Sequence, residues 1–173
     1  RPLTLTTSRN FDNTKDVDAT NLTVTFNNLV GSETLSLSGL GSVSSENVAS
    51  GQQSVSLGTL SLADNTGVAS NYSLSTATLD INAKPISLSG SKVYDASATA
   101  SSSALAISGT VGGQTLTLTG NGTLSLGADA GTNKTINTSG LTLSDGSGST
   151  AGLATNYSLA GGTYQMTVTQ RPV

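Results

Sequence analysis

The sequence predicts an all-β protein made of two copies of one module, and three observations carry that prediction. Aliphatic residues alternate with Ser or Thr at period 2 through most of the chain, which marks strands with one buried and one wet face. No stretch keeps the i, i+3, i+4 apolar spacing of a helix for three turns. A basic residue, a proline and an aliphatic residue also recur together, at Arg1-Pro2-Leu3, Lys84-Pro85-Ile86 and Arg171-Pro172-Val173. The spacings are 84 − 1 = 83 and 171 − 84 = 87, so the chain reads as two tandem copies plus the first residues of a third.

Three further blocks hold the register. Ser8-Arg9-Asn10-Phe11-Asp12 returns as Ser91-Lys92-Val93-Tyr94-Asp95, at 91 − 8 = 83. The block 30–39 returns as 111–120, at 111 − 30 = 81, and Asn71-Tyr72-Ser73-Leu74 as Asn156-Tyr157-Ser158-Leu159, at 156 − 71 = 85. Offsets that drift while motifs persist mark insertions and deletions in the loops between equivalent segments. The expected boundaries are therefore 1–83, 84–170 and 171–173, and the chain is expected to be an interior piece of a longer series.

In the first copy the alternation runs through Leu3-Thr4-Leu5-Thr6, Leu22-Thr23-Val24-Thr25-Phe26, Leu35-Ser36-Leu37-Ser38, Val55-Ser56-Leu57, Leu60-Ser61-Leu62 and Leu79-Asp80-Ile81. The second repeats it in Ile86-Ser87-Leu88-Ser89, Leu105-Ala106-Ile107, Leu116-Thr117-Leu118-Thr119, Leu124-Ser125-Leu126, Leu141-Thr142-Leu143 and Met166-Thr167-Val168. Short strands separated by Gly, Asn and Asp turns predict two tandem immunoglobulin-like antiparallel β-sandwich repeats, with β-grasp-like modules as the structural alternative. Only 95–106, rich in Ala and Ser, and 44–50 have room for a helical turn, and loop is the expectation for both. Lys84-Pro85 follows at once on the strand ending Ile81-Asn82-Ala83. Proline fixes φ and removes a donor, so a short, stiff joint and an elongated arrangement spanning about 70–80 Å are expected.

Composition narrows the function. Ser and Thr together supply 55 of 173 residues, while charged residues are 10% and aromatic residues 3%. The β-branched content and strong patterning favour a fold over disorder. With no Cys, disulfides and thiolate metal sites are excluded, which suits a cysteine-free bacterial exported protein. A net charge of −3 and scattered basic residues give no electrostatic footprint for nucleic acid or an anionic membrane. No apolar run approaches the roughly 20 residues of a membrane-spanning helix. The expectations are no nucleic acid, no membrane insertion and a monomer.

The chain resembles the YDG/MBG-type repeats of very large bacterial exoproteins of the filamentous-haemagglutinin kind. The resemblance rests on Lys92-Val93-Tyr94-Asp95 early in the copy, the Leu-Ser-Leu-Ser-Gly block, and Asn-Tyr-Ser-Leu followed by an alternating strand and a basic-Pro joint. It implies two-partner secretion and a place on the cell surface or in a biofilm matrix. It also implies an extended adhesin stalk whose partners are its neighbouring repeats, with host or matrix glycans met by other regions. The family's Tyr-Asp-Gly reads Tyr94-Asp95-Ala96 here and Phe11-Asp12-Asn13 in the first copy. Asn enters the left-handed conformation more readily than Ala, so the turn is expected to differ between the copies.

The candidate functional residues are few. With no His and no Cys, the usual proton shuttle and the best nucleophile are missing, and no catalytic residue is assigned. A carboxylate pair is the remaining route to glycoside chemistry. Yet Asp12, Asp16, Asp18, Glu33, Glu46, Asp64, Asp80, Asp95, Asp129 and Asp145 mostly fall at turns, where Asp caps backbone N–H groups. Asp12, Asp16 and Asp18 are a weak calcium candidate, with oxygen ligands enough for a hard cation but Lys15 among them. Copy two keeps only Asp95 there, so a solvated turn is the better reading, and no cofactor is expected. Tyr72 and Tyr157 read as tyrosine-corner residues bonding back to the preceding small-residue loop, with a sugar-stacking ring as the alternative. Phe11 and Tyr94 read as core anchors. The function expected is a non-catalytic stalk; the competing class is a carbohydrate- or protein-binding module, lectin-like and calcium-dependent in one form.

Overall fold

The computed structural model describes residues 1–49 and 51–172. Ser50, in the 44–50 stretch, and Val173, in the last Arg-Pro motif, lie outside the described residues. The chain divides into two compact units, Arg1–Ala83 and Lys84–Val173. Both are built of strands and single 3-10 turns.

The first unit contains β1 (Pro2–Asn10), β2 (Asp16–Asp18), β3 (Thr23–Asn27), β4 (Leu35–Ser38), β5 (Leu40–Ser42), β6 (Gln53–Ser54), β7 (Ser61–Asp64) and β8 (Ser73–Asn82). Its main sheet has the order β3-β1-β8-β6, and two ladders, β2–β5 and β4–β7, stand beside it. Alternation decides which faces are buried: Leu3, Leu5, Thr7 and Arg9 of β1 point inward, as do Ala77, Leu79 and Ile81 of β8. The strand read from sequence as 3–6 runs on to Asn10. Thr7 is tolerated inside because its hydroxyl donates to the Thr78 carbonyl at 2.9 Å.

The second unit contains β9 (Lys84–Pro85), β10 (Ser87–Val93), β11 (Thr99–Ser101), β12 (Leu105–Ser108), β13 (Leu116–Leu124), β14 (Gly131–Asn137), β15 (Leu141–Asp145), β16 (Tyr157–Ser158) and β17 (Tyr164–Thr169). Its sheet runs β11-β13-β14-β17-β10-β12, with β15 also on β13 and a short β16–β9 ladder. Leu88, Ala100, Leu124, Ile136, Leu141, Met166 and Val168 form its core. Val17, Val43, Val55, Leu60, Leu79 and Ile81 are buried in the first unit at the positions equivalent to the last six. The glycine that closes each Leu-Ser-Leu-Ser-Gly or Leu-Thr-Leu-Thr-Gly block is required. Gly39 (φ 90°) and Gly120 (φ 87°) take left-handed backbone, and a Cβ there would collide with the carbonyl of Thr59 or Gly140. The stretch 95–106, expected to be loop, instead holds β11, one 3-10 turn, Ser102–Ala104, and the first residues of β12.

The expectation of all-antiparallel sheets does not hold. β1 and β8 pair parallel, from Pro2↔Ser73 to Asn10↔Asn82, and β10 pairs parallel with β17, from Leu88↔Tyr164 to Val93↔Thr169. Period-2 alternation fixes which face a side chain takes and is silent on strand direction. Here the whole of each unit serves as the long crossover that a parallel pair needs. The consequence is directional. The chain enters the first unit beside Ser73 and leaves it beside Asn10, at opposite ends of a nine-residue strand about 30 Å long.

Candidate functional site

The motif around Phe11-Asp12 and Tyr94-Asp95 folds into a turn held by a cation from the first strand of the unit. In the first unit the Arg9 guanidinium donates from Nη1 to the Asp16 carbonyl at 2.5 Å and from Nη2 to the Thr14 carbonyl at 2.6 Å. It also pairs with Asp12 at 2.9 Å. In the second, Lys92 Nζ donates to the Ser97 and Thr99 carbonyls at 2.6 and 2.9 Å and to Asp95 Oδ1 at 2.9 Å. The acceptors are equivalent: 97 − 14 = 83 and 99 − 16 = 83. The turn is then locked by its own side chains. Asp12 Oδ1 accepts from Thr14 N at 3.1 Å and Asp95 Oδ1 from Ser97 N at 3.0 Å. Thr14 Oγ1 and Ser97 Oγ accept in turn from Asp16 N and Thr99 N.

Asn13 and Ala96 sit at φ 62° and 60°. The turns therefore agree, and the expected difference between them is absent. Ala96 is held left-handed by the latch around it, at a conformational cost that Gly would not carry. The Lys92 hydrogen bond first, and then the Ser97 backbone N–H, hold Asp95 below the usual carboxylate value of 3.8. Its contribution to stability is present above that value and is lost as pH falls through the lowered one.

The calcium candidates are not brought together as a metal group. Among the described residues no three of the carboxylates, His or Cys converge to hold an ion. Asp12 faces Arg9, and Asp18 caps the turn Ala19–Asn21, accepting from the Thr20 N–H at 2.9 Å and the Thr20 hydroxyl at 2.8 Å. Those two bonds, the backbone one first, hold Asp18 below its usual value. Lys15 reaches toward Glu46 at 3.9 Å. The carbonyls that a hard cation could have used already receive the guanidinium.

Tyr72 and Tyr157 are buried, and each hydroxyl both accepts and donates. The Val30 N–H donates to Tyr72 at 3.2 Å and the Val111 N–H to Tyr157 at 3.0 Å. Tyr72 donates to the Glu33 carboxylate, and Tyr157 to Gln114 Oε1 at 2.6 Å. The partner is thus the loop after β3 or β12, not the preceding loop expected from sequence. That preceding loop satisfies itself: Asn71 and Tyr72 donate N–H bonds to Val68 and Ala69, and Asp64 accepts from Ala69 N at 2.6 Å. The Glu33 bond, the first cause, raises the Tyr72 phenol above its ordinary value of 10.0.

Phe11 is buried, whereas Tyr94 is only partly covered and packs on the second core while lining a hollow with Asp129, Ala130, Gln170 and Arg171. Sequence reasoning missed the acceptors Glu33 and Gln114, the cations Arg9 and Lys92 as latches, and a third device. Lys134 is buried and donates to the Gly127 and Asp129 carbonyls at 2.7 and 2.6 Å. At the equivalent place (134 − 53 = 81) Gln53 ties Ser45 N and Asn47 O, both at 3.3 Å. The signal was available, since Glu33 and Gln114 occupy one column of the 81-offset block.

One all-β plan, latched at the same turn and bridged by the same tyrosine, occurs twice in this chain, which makes it a repeat protein. The YDG domain model matches residues 1–79 and again 80–166. The chain belongs to the YDG domain family. No curated protein and no solved structure matches it.

Proposed function

We propose that this chain is a non-catalytic stalk or spacer segment of a large secreted bacterial surface or biofilm-matrix adhesin of the filamentous-haemagglutinin kind. In this reading it holds no cofactor and contacts neither nucleic acid nor membrane. Its partners are neighbouring repeats, and glycans are gripped elsewhere in the parent. The observation that carries the reading is the parallel pairing of the first and last strands of each unit. A module of that topology receives the chain at one end and returns it at the other, so every copy adds its own length. Tension along the chain loads this ladder in shear, where many hydrogen bonds must fail together. The Ser/Thr faces keep such a segment soluble at low charge.

The same topology supports the β-grasp-like alternative over the immunoglobulin-like sandwich. β1 lies between β3 and β8, the latter parallel to it, whereas the immunoglobulin plan sets antiparallel neighbours side by side. An elongated tandem arrangement predicts a maximum dimension of about 70–80 Å by small-angle scattering; a value near 50 Å overturns it. Force spectroscopy on the chain tests the load-bearing role directly. Rupture at forces no higher than those for an unzipping hairpin contradicts the spacer reading. The competing binding module, calcium-dependent or not, predicts a dissociation constant at or below about micromolar, roughly −8 kcal/mol, on a glycan array or in a calcium titration.

A further inference from the structure

Each unit ends its main sheet on a strand with an open side. Among the described residues β3 pairs with β1 alone and β12 with β10 alone. Sheet edges of soluble proteins are normally blunted by lysine, proline or a bulge. Here Thr23-Val24-Thr25-Phe26-Asn27 and Leu105-Ala106-Ile107-Ser108 hold no charge and no proline, and their ladders run without a register shift. Each edge also borders a groove, mainly apolar beside β3 and mixed beside β12, where Ser102, Thr110, Gln114 and Thr115 share the wall with the leucines. Val24 and Phe26 face Leu35 and Leu37 across about 410 Å³, and Leu105 and Ile107 face Leu116 and Leu118 across about 320 Å³. Among the described residues no charged one lines either groove. An incoming strand therefore needs apolar residues at alternate positions and uncharged polar ones between. This chain is itself made of such strands.

We propose that the open edges of β3 and β12 pair antiparallel with the same edges of a second copy of this chain. The register follows from symmetry. A two-fold axis through Thr25 sets Thr25 opposite its own copy and Val24 opposite Phe26 on both sides of the axis. At the equivalent centre, Ala106 (106 − 25 = 81), Leu105 lies opposite Ile107. Side chains directly opposite share a face, so the apolar pairs meet on one side, while Thr25, exposed although it borders the first groove, and the exposed Ala106 each face their own copy at the axis. The contact is isologous, and both edges meet its requirements. It replaces the monomer expected from composition. Only its use, the lateral bundling of stalks, rests on the spacer reading.

The test exploits the two-fold centre. Thr25→Lys with Ala106→Lys places like charges against each other in the assembly, and both sites are exposed, so the melting temperature of the chain should not move. By sedimentation up to about millimolar protein, the unaltered chain should associate, with a dissociation constant between about micromolar and millimolar. The double lysine variant should associate at least about tenfold more weakly. Mixing it with the Thr25→Glu, Ala106→Glu variant should restore association, because opposite charges then face each other. An unaltered chain that stays monomeric throughout overturns the proposal. So does association that the lysines leave untouched, or a mixture that fails to recover. A scattering result that sinks the spacer reading leaves this outcome unchanged.

Discussion

The two units share a plan and differ in what fills it. Arg9 in one is Lys92 in the other, Glu33 is Gln114, Asn13 is Ala96, Phe11 is Tyr94, and Gln53 is Lys134. In the first three the geometry survives the exchange: the same carbonyls are bonded, the same hydroxyl is bridged, the same φ is held. Tyr94 is less buried than Phe11, and Lys134 bonds two carbonyls where Gln53 ties an N–H and a carbonyl. What persists is therefore the backbone requirement, a donor aimed at two carbonyls or an acceptor for a phenol, and several residue types meet it. The cost of each choice differs. The planar guanidinium leaves Arg9 Nε buried with no hydrogen-bond partner among the described residues, while the ammonium of Lys92 makes three bonds at its only polar atom. The last strand differs most. β8 is one strand beside β1 with a single register shift at Ser75, but its counterpart is split into β16 and β17 around 159–163, with the Ile86 and Leu88 N–H groups reaching the Ser158 and Thr163 carbonyls.

The largest expected break in the equivalence lies at the aromatic anchors. Phe11→Ala removes a fully buried ring and should cost about 3–5 kcal/mol, enough to unfold a marginal unit. Tyr94→Ala empties a partly exposed site and should cost clearly less. Calorimetry resolving the two transitions measures both, and equal losses would mean that Tyr94 is as much a core residue as Phe11.

The tyrosine bridges come next. Tyr157→Phe removes the hydroxyl that bridges the part-buried Val111 N–H and Gln114 Oε1, and should cost about 1–3 kcal/mol. Tyr72→Phe also strips a carboxylate of its donor and should fall in the upper part of that range, since bonds to charged groups are the stronger ones. The same asymmetry has a pH signature. A Tyr72 phenol raised above 10.0 holds its proton more tightly folded than unfolded, so its contribution is present below pH 10 and fades as pH rises through the raised value. Melting followed from pH 8 to 11 should show the first unit weakening over that window. Glu33→Gln, which copies the second unit, should flatten the response; an unchanged profile means the carboxylate does not set it.

Strand faces, the repeat and the all-β class could be read from the sequence because period 2 and recurring motifs are local signals. The parallel pairing of β1 with β8 could not, because direction is set by a contact between residues about 70 apart, such as Leu3 with Leu74. The site was half legible. Tyr72 and Tyr157 were found from their repeated context, but their partners in the loop after β3 or β12 were not, since a hydroxyl shows no preference for one backbone donor over another. Arg9 and Lys92 were seen as motif letters only. Nothing in a lone basic residue says that it will turn inward onto carbonyls.

The smallest expected effect tests the turn itself. Ala96 stands where the family motif has Gly, at φ 60°, a conformation that costs an L-residue with a Cβ roughly 1–2 kcal/mol. Ala96→Gly relieves that strain but loosens the unfolded chain, which takes back about 0.4–1 kcal/mol. The net should be a gain of about 0.5–1 kcal/mol, seen as a rise of about 4–8 °C per kcal/mol in the second transition. Asn13→Gly should gain less, because Asn already tolerates the left-handed region. If the two changes raise their transitions equally, Ala96 carries no strain beyond that of Asn13, and the latch built by Lys92 and Asp95 is not holding the turn against its own preference.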